Sequence, residues 1–260
     1  MYFIENHVLN RISEFIFPSS TYCVCCGKFV DKNSQYSICD FCFERMGFGH
    51  IYVNLKKVEN KLAQEMKLDS MRSAVWYGAF TRVMVEDYKD GRKTYLARTI
   101  SQIMYERIAT DPSAYEILNC DLMVPAPVSP ESKRGFNQSE KIAGYLSKSL
   151  EIPVSDCLIK KEGGTSQRRL KAAGRMMELR NTISVAGTEE RADTEEKAGT
   201  GEKPGTLKGK NILLIDDVFT TGSTMNECAR ALKEAGASHV HGLTFATKNR
   251  YAFGRFSDSE

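Results

Sequence analysis

The stretch from Ile212 to Thr224, ILLIDDVFTTGST, runs four apolar residues into two adjacent aspartates and then into a Thr/Gly/Ser turn. A short segment that is apolar at every position, preceded by the polar Lys208 to Asn211, predicts a strand buried on both faces. Strands of that kind belong to parallel sheets covered by helices on either side. After the turn, Met225, Ala229 and Leu232 recur at helical spacing, and Gly236 stands where a helix ends. The stretch therefore predicts a strand, turn and helix unit, with both carboxylates at the strand's carboxyl end.

That position carries chemical meaning. In open α/β sheets ligands bind outside the carboxyl ends of strands, and a helix N-terminus presents unpaired N–H groups to an anion. Thr220, Thr221, Gly222, Ser223 and Thr224 supply amides and hydroxyls for one phosphate, and Gly222 lets it approach the backbone. Two carboxylates beside a bare phosphate would repel it. They suit a ligand that also carries sugar hydroxyls or a magnesium ion, and a ribose 5-phosphate meets both demands. The thirteen residues closely resemble the phosphoribosyl pyrophosphate motif of type I phosphoribosyltransferases. The alternative resemblance, to a Walker B strand, needs a G-x-x-x-x-G-K-[ST] loop, and the chain has none.

At 260 residues and 42% hydrophobic content, the chain can hold one medium domain and a small one. A formal net charge of +3 is too small to argue for nucleic acid by itself. No apolar run approaches membrane-spanning length, and the amino-terminal MYFIENHVLNRISEFIF has apolar residues at helical spacing with charged ones between them. It predicts an amphipathic helix ending before Pro18 rather than an export signal, so a cytoplasmic protein is expected.

Five of the eight cysteines fall between Cys23 and Cys42. Cys23 with Cys26, and Cys39 with Cys42, form two C-x-x-C knuckles separated by twelve residues, a spacing that brings four thiolates to one zinc ion. In a reducing compartment disulfides are disfavoured. Cys25 competes with Cys26 as a ligand, although Gly27 favours Cys26, and His50 is a weaker alternative. A closed four-cysteine site leaves no position for substrate, so the zinc is expected to be structural. Cys120, Cys157 and Cys228 read as small buried hydrophobes.

The remaining segments alternate between types. Residues 55–70 predict a polar helical connector, and Ser73 to Phe80 a strand containing Trp76. Thr81 to Ile108 has helical spacing broken at Asp90-Gly91. Asp121 to Pro127 predicts a buried strand, followed by a basic turn and a helix with Ile142, Ala143, Leu146 and Leu150 inward. Ile183 to Val185 and Val240 to Ala246 complete the strands. Such alternation implies an α/β fold, a mainly parallel sheet with helices on both faces. The expected division is a zinc module at residues 1–54, a connector at 55–72 and a phosphoribosyltransferase-like domain at 73–260. Within it, residues 187–206 hold no aromatic or large apolar side chain and predict a disordered, Glu-rich surface insertion.

The order of the four-cysteine module, DYKDGR, VPAP, KRGFNQSE, TSQRRLKAAGR and the ribose motif resembles the ComF family over nearly the whole chain. That family joins a zinc ribbon to a phosphoribosyltransferase-like domain and is associated with competence, the uptake of DNA for transformation. The resemblance implies that Asp216 and Asp217 hold ribose hydroxyls, partly through magnesium, and that Thr220 to Thr224 hold the 5-phosphate. Pro127, Lys133, Arg134 and Gly135 would serve the pyrophosphate. Gln167 and Arg175 lie in a segment resembling the loop that closes over the site in phosphoribosyltransferases. The implied reaction is magnesium-dependent displacement of pyrophosphate by a nitrogen acceptor that no residue identifies. The alternative is a non-catalytic module that uses the same phosphate site for ligand sensing or for single-stranded DNA, with Lys133-Arg134, Lys160-Lys161 and Arg168-Arg169-Lys171 along the strand and Phe136 for stacking. Competence machinery is the expected wider partner.

Overall fold

The computed structural model describes residues 22–30, 36–53, 66–90, 93–129, 132, 135–161, 181–186 and 207–248. The expected amino-terminal helix, most of the connector, Lys133, Arg134, the Gln167–Arg175 segment and the 187–206 insertion lie outside these residues.

Five strands form the main sheet: β1 (Phe48–Val53), β2 (Ser70–Trp76), β3 (Leu122–Pro125), β6 (Asn211–Phe219) and β7 (His239–Thr247). Their spatial order is β1-β2-β7-β6-β3, with β1 antiparallel and the other four parallel. The helices are α1 (Asp40–Glu44), α2 (Ala79–Lys89), α3 (Leu96–Ala109), α4 (Tyr115–Leu118), α5 (Gln138–Leu150) and α6 (Ser223–Glu234).

Side chains alternate across the central strands and divide the core in two. Met123, Leu213, Ile215, Leu243 and Phe245 face α2, α3 and α5. Val124, Ile212, Leu214 and Val240 face α6, where Met225, Cys228, Ala229 and Leu232 cover them. The sheet is thus covered by helices on both faces, as the unbroken apolar run requires. The helix after β3 packs on one face and the helix after β6 on the other, so the chain diverges between these neighbouring strands. This is the topological switch point at which such sheets bind ligands.

Several expected boundaries shift. The strand expected over Ser73 to Phe80 occupies Ser70–Trp76, and Ala79 and Phe80 begin α2. Gly78 turns the chain, and Thr81 Oγ1 donates to Trp76 O at 3.0 Å, tying the helix start to the strand end. Ile183–Val185 is not in the main sheet. As β5 it pairs antiparallel with β4 (Leu158–Lys160), a strand the sequence did not reveal, in a separate two-stranded ribbon. Phe48–Val53, expected within the amino-terminal module, forms the edge strand β1. Cys120, Cys157 and Cys228 are buried as expected.

The cysteine-rich segment packs onto the sheet rather than standing apart. Val24, Tyr36, Ile38, Cys42 and Met46 share one apolar cluster with Val75 of β2 and with Met84, Val85 and Tyr88 of α2. Trp76 N donates to Gly47 O at 3.1 Å, and the Phe41 ring meets the Phe80 ring edge-on at 5.9 Å.

Candidate functional site

The β3–β6 ladder ends where Pro125 lies opposite Ile215, while β6 continues beside β7 as far as Phe219. Asp216 and Asp217 therefore sit inside β6, one and two residues past its last pairing with β3, rather than at the end of their own strand. Proline ends the shorter strand because it brings no N–H to a ladder, which is tolerable at a sheet edge.

Two helices converge on the carboxylates that β6 carries. Ser139 of α5 donates from Oγ to Asp216 Oδ1 at 3.0 Å, and the Asp217 amide donates to the same oxygen at 2.8 Å. Lys89, the last residue of α2, places Nζ 2.9 Å from Asp217 Oδ2. Tyr88 is fully buried, and its hydroxyl donates to Gln138 O at 2.8 Å, joining the end of α2 to the start of α5. Desolvation, reinforced by the Asp217 charge and opposed by Lys89, pushes the Asp216 carboxyl up to about 6. These carboxylate oxygens are hard donors of the kind magnesium takes.

The phosphate turn follows within the same unit. Gly222 precedes α6 at φ 77°, a left-handed conformation that favours glycine. A Cβ there would collide with the end of the Met66 side chain and lie 2.7 Å from the Phe219 ring. Thr221 Oγ1 and Ser223 Oγ share a hydrogen bond of 2.7 Å, Ser223 is buried, and Thr220 is exposed. The turn thus brings together the hydroxyls and the first amides of α6 that the sequence predicts for a phosphate.

Of the expected pyrophosphate residues, Pro127 and Gly135 are described, and Gly135 has φ 73° with open space around it. Asn137 organises this loop. Its side chain accepts from the amides of Ser139 and Glu140 at the start of α5, and its Nδ2 donates to Ala126 O at 3.1 Å. The loop and the β4–β5 ribbon border a cleft of about 460 Å³ whose lining includes Pro127, Phe136, Asn137, Glu140, Asp156 and Lys160. This cleft does not include the aspartates or the phosphate turn.

Lys89, Asn137 and Ser139 are site residues that sequence reasoning did not single out. Their signal was present in DYKDGR and KRGFNQSE, but their partners lie in remote segments.

The four cysteines form a second centre. The Sγ atoms of Cys23, Cys26, Cys39 and Cys42 all lie within 4.8 Å of one another, and those of Cys26 and Cys39 are 3.7 Å apart. A tetrahedral zinc site with bonds of about 2.3 Å has sulfur–sulfur edges of about 3.8 Å, so the cluster fits that ion. Gly27, at φ 73°, donates to Cys23 O in the first knuckle, and Cys39 precedes α1 in the second. Cys25 stands outside the four, its thiol pushed up to about 12 chiefly by burial.

Comparison with known proteins agrees with this construction. Residues 137–254 match the model of the phosphoribosyl transferase domain. Competence protein F of Haemophilus influenzae is 25% identical over 184 residues, covering 70% of this chain and 74% of that protein. Competence protein ComFC of Streptococcus pneumoniae is 26% identical over 219 residues, covering 81% of this chain and 86% of that protein. DNA utilization protein YhgH of Escherichia coli is 25% identical over 160 residues, covering 60% and 63% respectively. In its four-cysteine cluster, its phosphoribosyl transferase domain match and these relatives, the chain is similar to competence proteins F and ComFC over most of its length.

Proposed function

We propose that this protein binds phosphoribosyl pyrophosphate together with magnesium in the β3–β6 crevice and serves DNA uptake or utilisation, the processes for which its relatives are named. The observation that carries the reading is one continuous unit. Asp216 and Asp217 lie just past the end of β3, and Gly222 opens α6 a short turn later. In this reading the aspartates hold the ribose hydroxyls, and Thr220 to Thr224 receive the 5-phosphate.

Pro127, Lys133, Arg134 and Gly135 serve the pyrophosphate, and Gln167 and Arg175 belong to a segment that covers the bound ligand. When bound, magnesium would neutralise charge on the pyrophosphate as it leaves. Asp216 and Asp217 would steady positive charge developing on the ribose, while the covering segment excludes water. In the four-cysteine centre zinc has a structural role, since four thiolates complete its tetrahedron.

Among the described residues no helix is long and apolar enough to cross a membrane. The single-stranded DNA module gains no specific support, because Lys133, Arg134 and Arg168 to Lys171 lie outside the described residues and Lys160-Lys161 is one short basic pair.

Ligand-dependent thermal unfolding tests the proposal. Binding to the native state alone stabilises it by about 2.7 kcal/mol at a hundredfold excess over the dissociation constant. Phosphoribosyl pyrophosphate with magnesium should raise the midpoint, ribose 5-phosphate should raise it less, and combined Thr221→Ala and Ser223→Ala substitution should suppress both effects. A midpoint indifferent to sugar phosphates but raised by single-stranded DNA, steeply lost with salt, would replace this reading with the nucleic-acid one.

A further inference from the structure

The aspartate pair already has a cation. Lys89 Nζ lies 2.9 Å from Asp217 Oδ2, and the two side chains retain 28% and 10% of their exposure. The placement of Lys89 is built into the fold. It ends α2, and the adjacent Tyr88 fastens that end to the start of α5 through Gln138 O. The same start of α5 provides Ser139, which donates to Asp216. Two linked helices thus approach the pair from separate directions, one bringing a charge to Asp217 and the other a hydroxyl to Asp216.

We infer that Lys89 is a resident counter-cation that keeps free divalent metal out of the aspartate pair, so that metal enters together with the sugar phosphate rather than before it. A divalent ion arriving alone must displace the ammonium group and take on both carboxylates without help from other anions. An ion arriving with a pyrophosphate brings its own anionic ligands, and the released ammonium group gains a phosphate oxygen as its new partner. Binding order then follows from the charge balance between Lys89 and the two aspartates. Lys89 acts here as a positioning residue through Asp217. The inference rests on the aspartate-pair reading of the site, but its test separates the two.

The probe is Mn²⁺ alone, measured by electron paramagnetic resonance on the zinc-loaded protein, then repeated with phosphoribosyl pyrophosphate. Free Mn²⁺ should bind Lys89→Gln at least about tenfold more tightly than wild type. Lys89→Arg, which keeps the charge, should behave as wild type, and Asp217→Asn added to Lys89→Gln should abolish the gain. Equal affinity of wild type and Lys89→Gln for free Mn²⁺ would overturn the inference. Tight binding of free Mn²⁺ by wild type, lost in Asp217→Asn, would overturn it without recourse to any Lys89 variant. If Lys89→Gln gains Mn²⁺ affinity while the sugar phosphate adds nothing in any variant, the counter-cation role stands and the ligand assignment falls.

Discussion

Asp216 holds its proton more firmly in the folded protein than in an unfolded chain, because desolvation and the neighbouring Asp217 charge outweigh Lys89 and move it from 3.8 to about 6. The sign is therefore opposite to that of a salt-bridged carboxylate. The native state binds more protons than the unfolded one between these values, so this group's contribution to stability falls as pH rises through that window and stays low above it. Asp216→Asn should raise the unfolding midpoint by ~2–4 °C at neutral pH, a gain of about 1 kcal/mol, while weakening sugar phosphate binding. Scanning calorimetry and ligand titration of the same sample would check both halves. In the wild type, sugar phosphate affinity should fall as pH drops through about 6, where Asp216 becomes neutral. Gly222→Ala tests the turn. Its left-handed backbone and the collisions with Met66 and Phe219 should cost at least about 1–2 kcal/mol by denaturant unfolding.

At the scale of elements, the helix start at Asn137 joins α5 to the loop after β3. Asn137→Ala should cost about 1 kcal/mol through loss of the cap, and should also free the loop from Ala126. Sugar phosphate affinity should fall more than the stability change alone explains, as measured by titration under conditions where the variant remains folded. The central strand, the phosphate turn and α6 were legible because the ILLIDD run and the Met225, Ala229, Leu232 spacing each serve a single geometry. The boundary of β2 was not, since Ala79 and Phe80 satisfy either a strand or a helix until Gly78 turns the chain. β5 was expected as a strand, but β4 is three residues long and pairs with β5 outside the main sheet, so β4 and the ribbon it forms depend on a contact that local pattern does not carry. Ser139 and Lys89 were obscured for a similar reason. Their roles arise where separate segments meet; Ser139 and Asp216 are 77 residues apart in sequence.

For the whole molecule, the decisive feature is that the cysteine-rich segment shares its core with the sheet. Reading the sequence as an independent module suggests that metal loss spares the ribose phosphate site. The common cluster of Val24, Ile38, Cys42 and Met46 with Val75, Met84 and Tyr88 supports the contrary expectation. α2 carries Lys89 to the aspartates, so loosening its other contacts reaches the site. Chelation should lower the midpoint of the entire protein in one transition and weaken sugar phosphate binding. Two separated transitions with unchanged affinity would show that the segments are energetically independent. The central claim, that Asp217 anchors a magnesium-dependent sugar phosphate site, is tested most directly by calorimetric titration of phosphoribosyl pyrophosphate into zinc-loaded wild type and Asp217→Asn, with and without magnesium. Saturable binding that requires magnesium and disappears in the variant is the predicted result; no heat from folded wild type, or equal binding by both proteins, would contradict it.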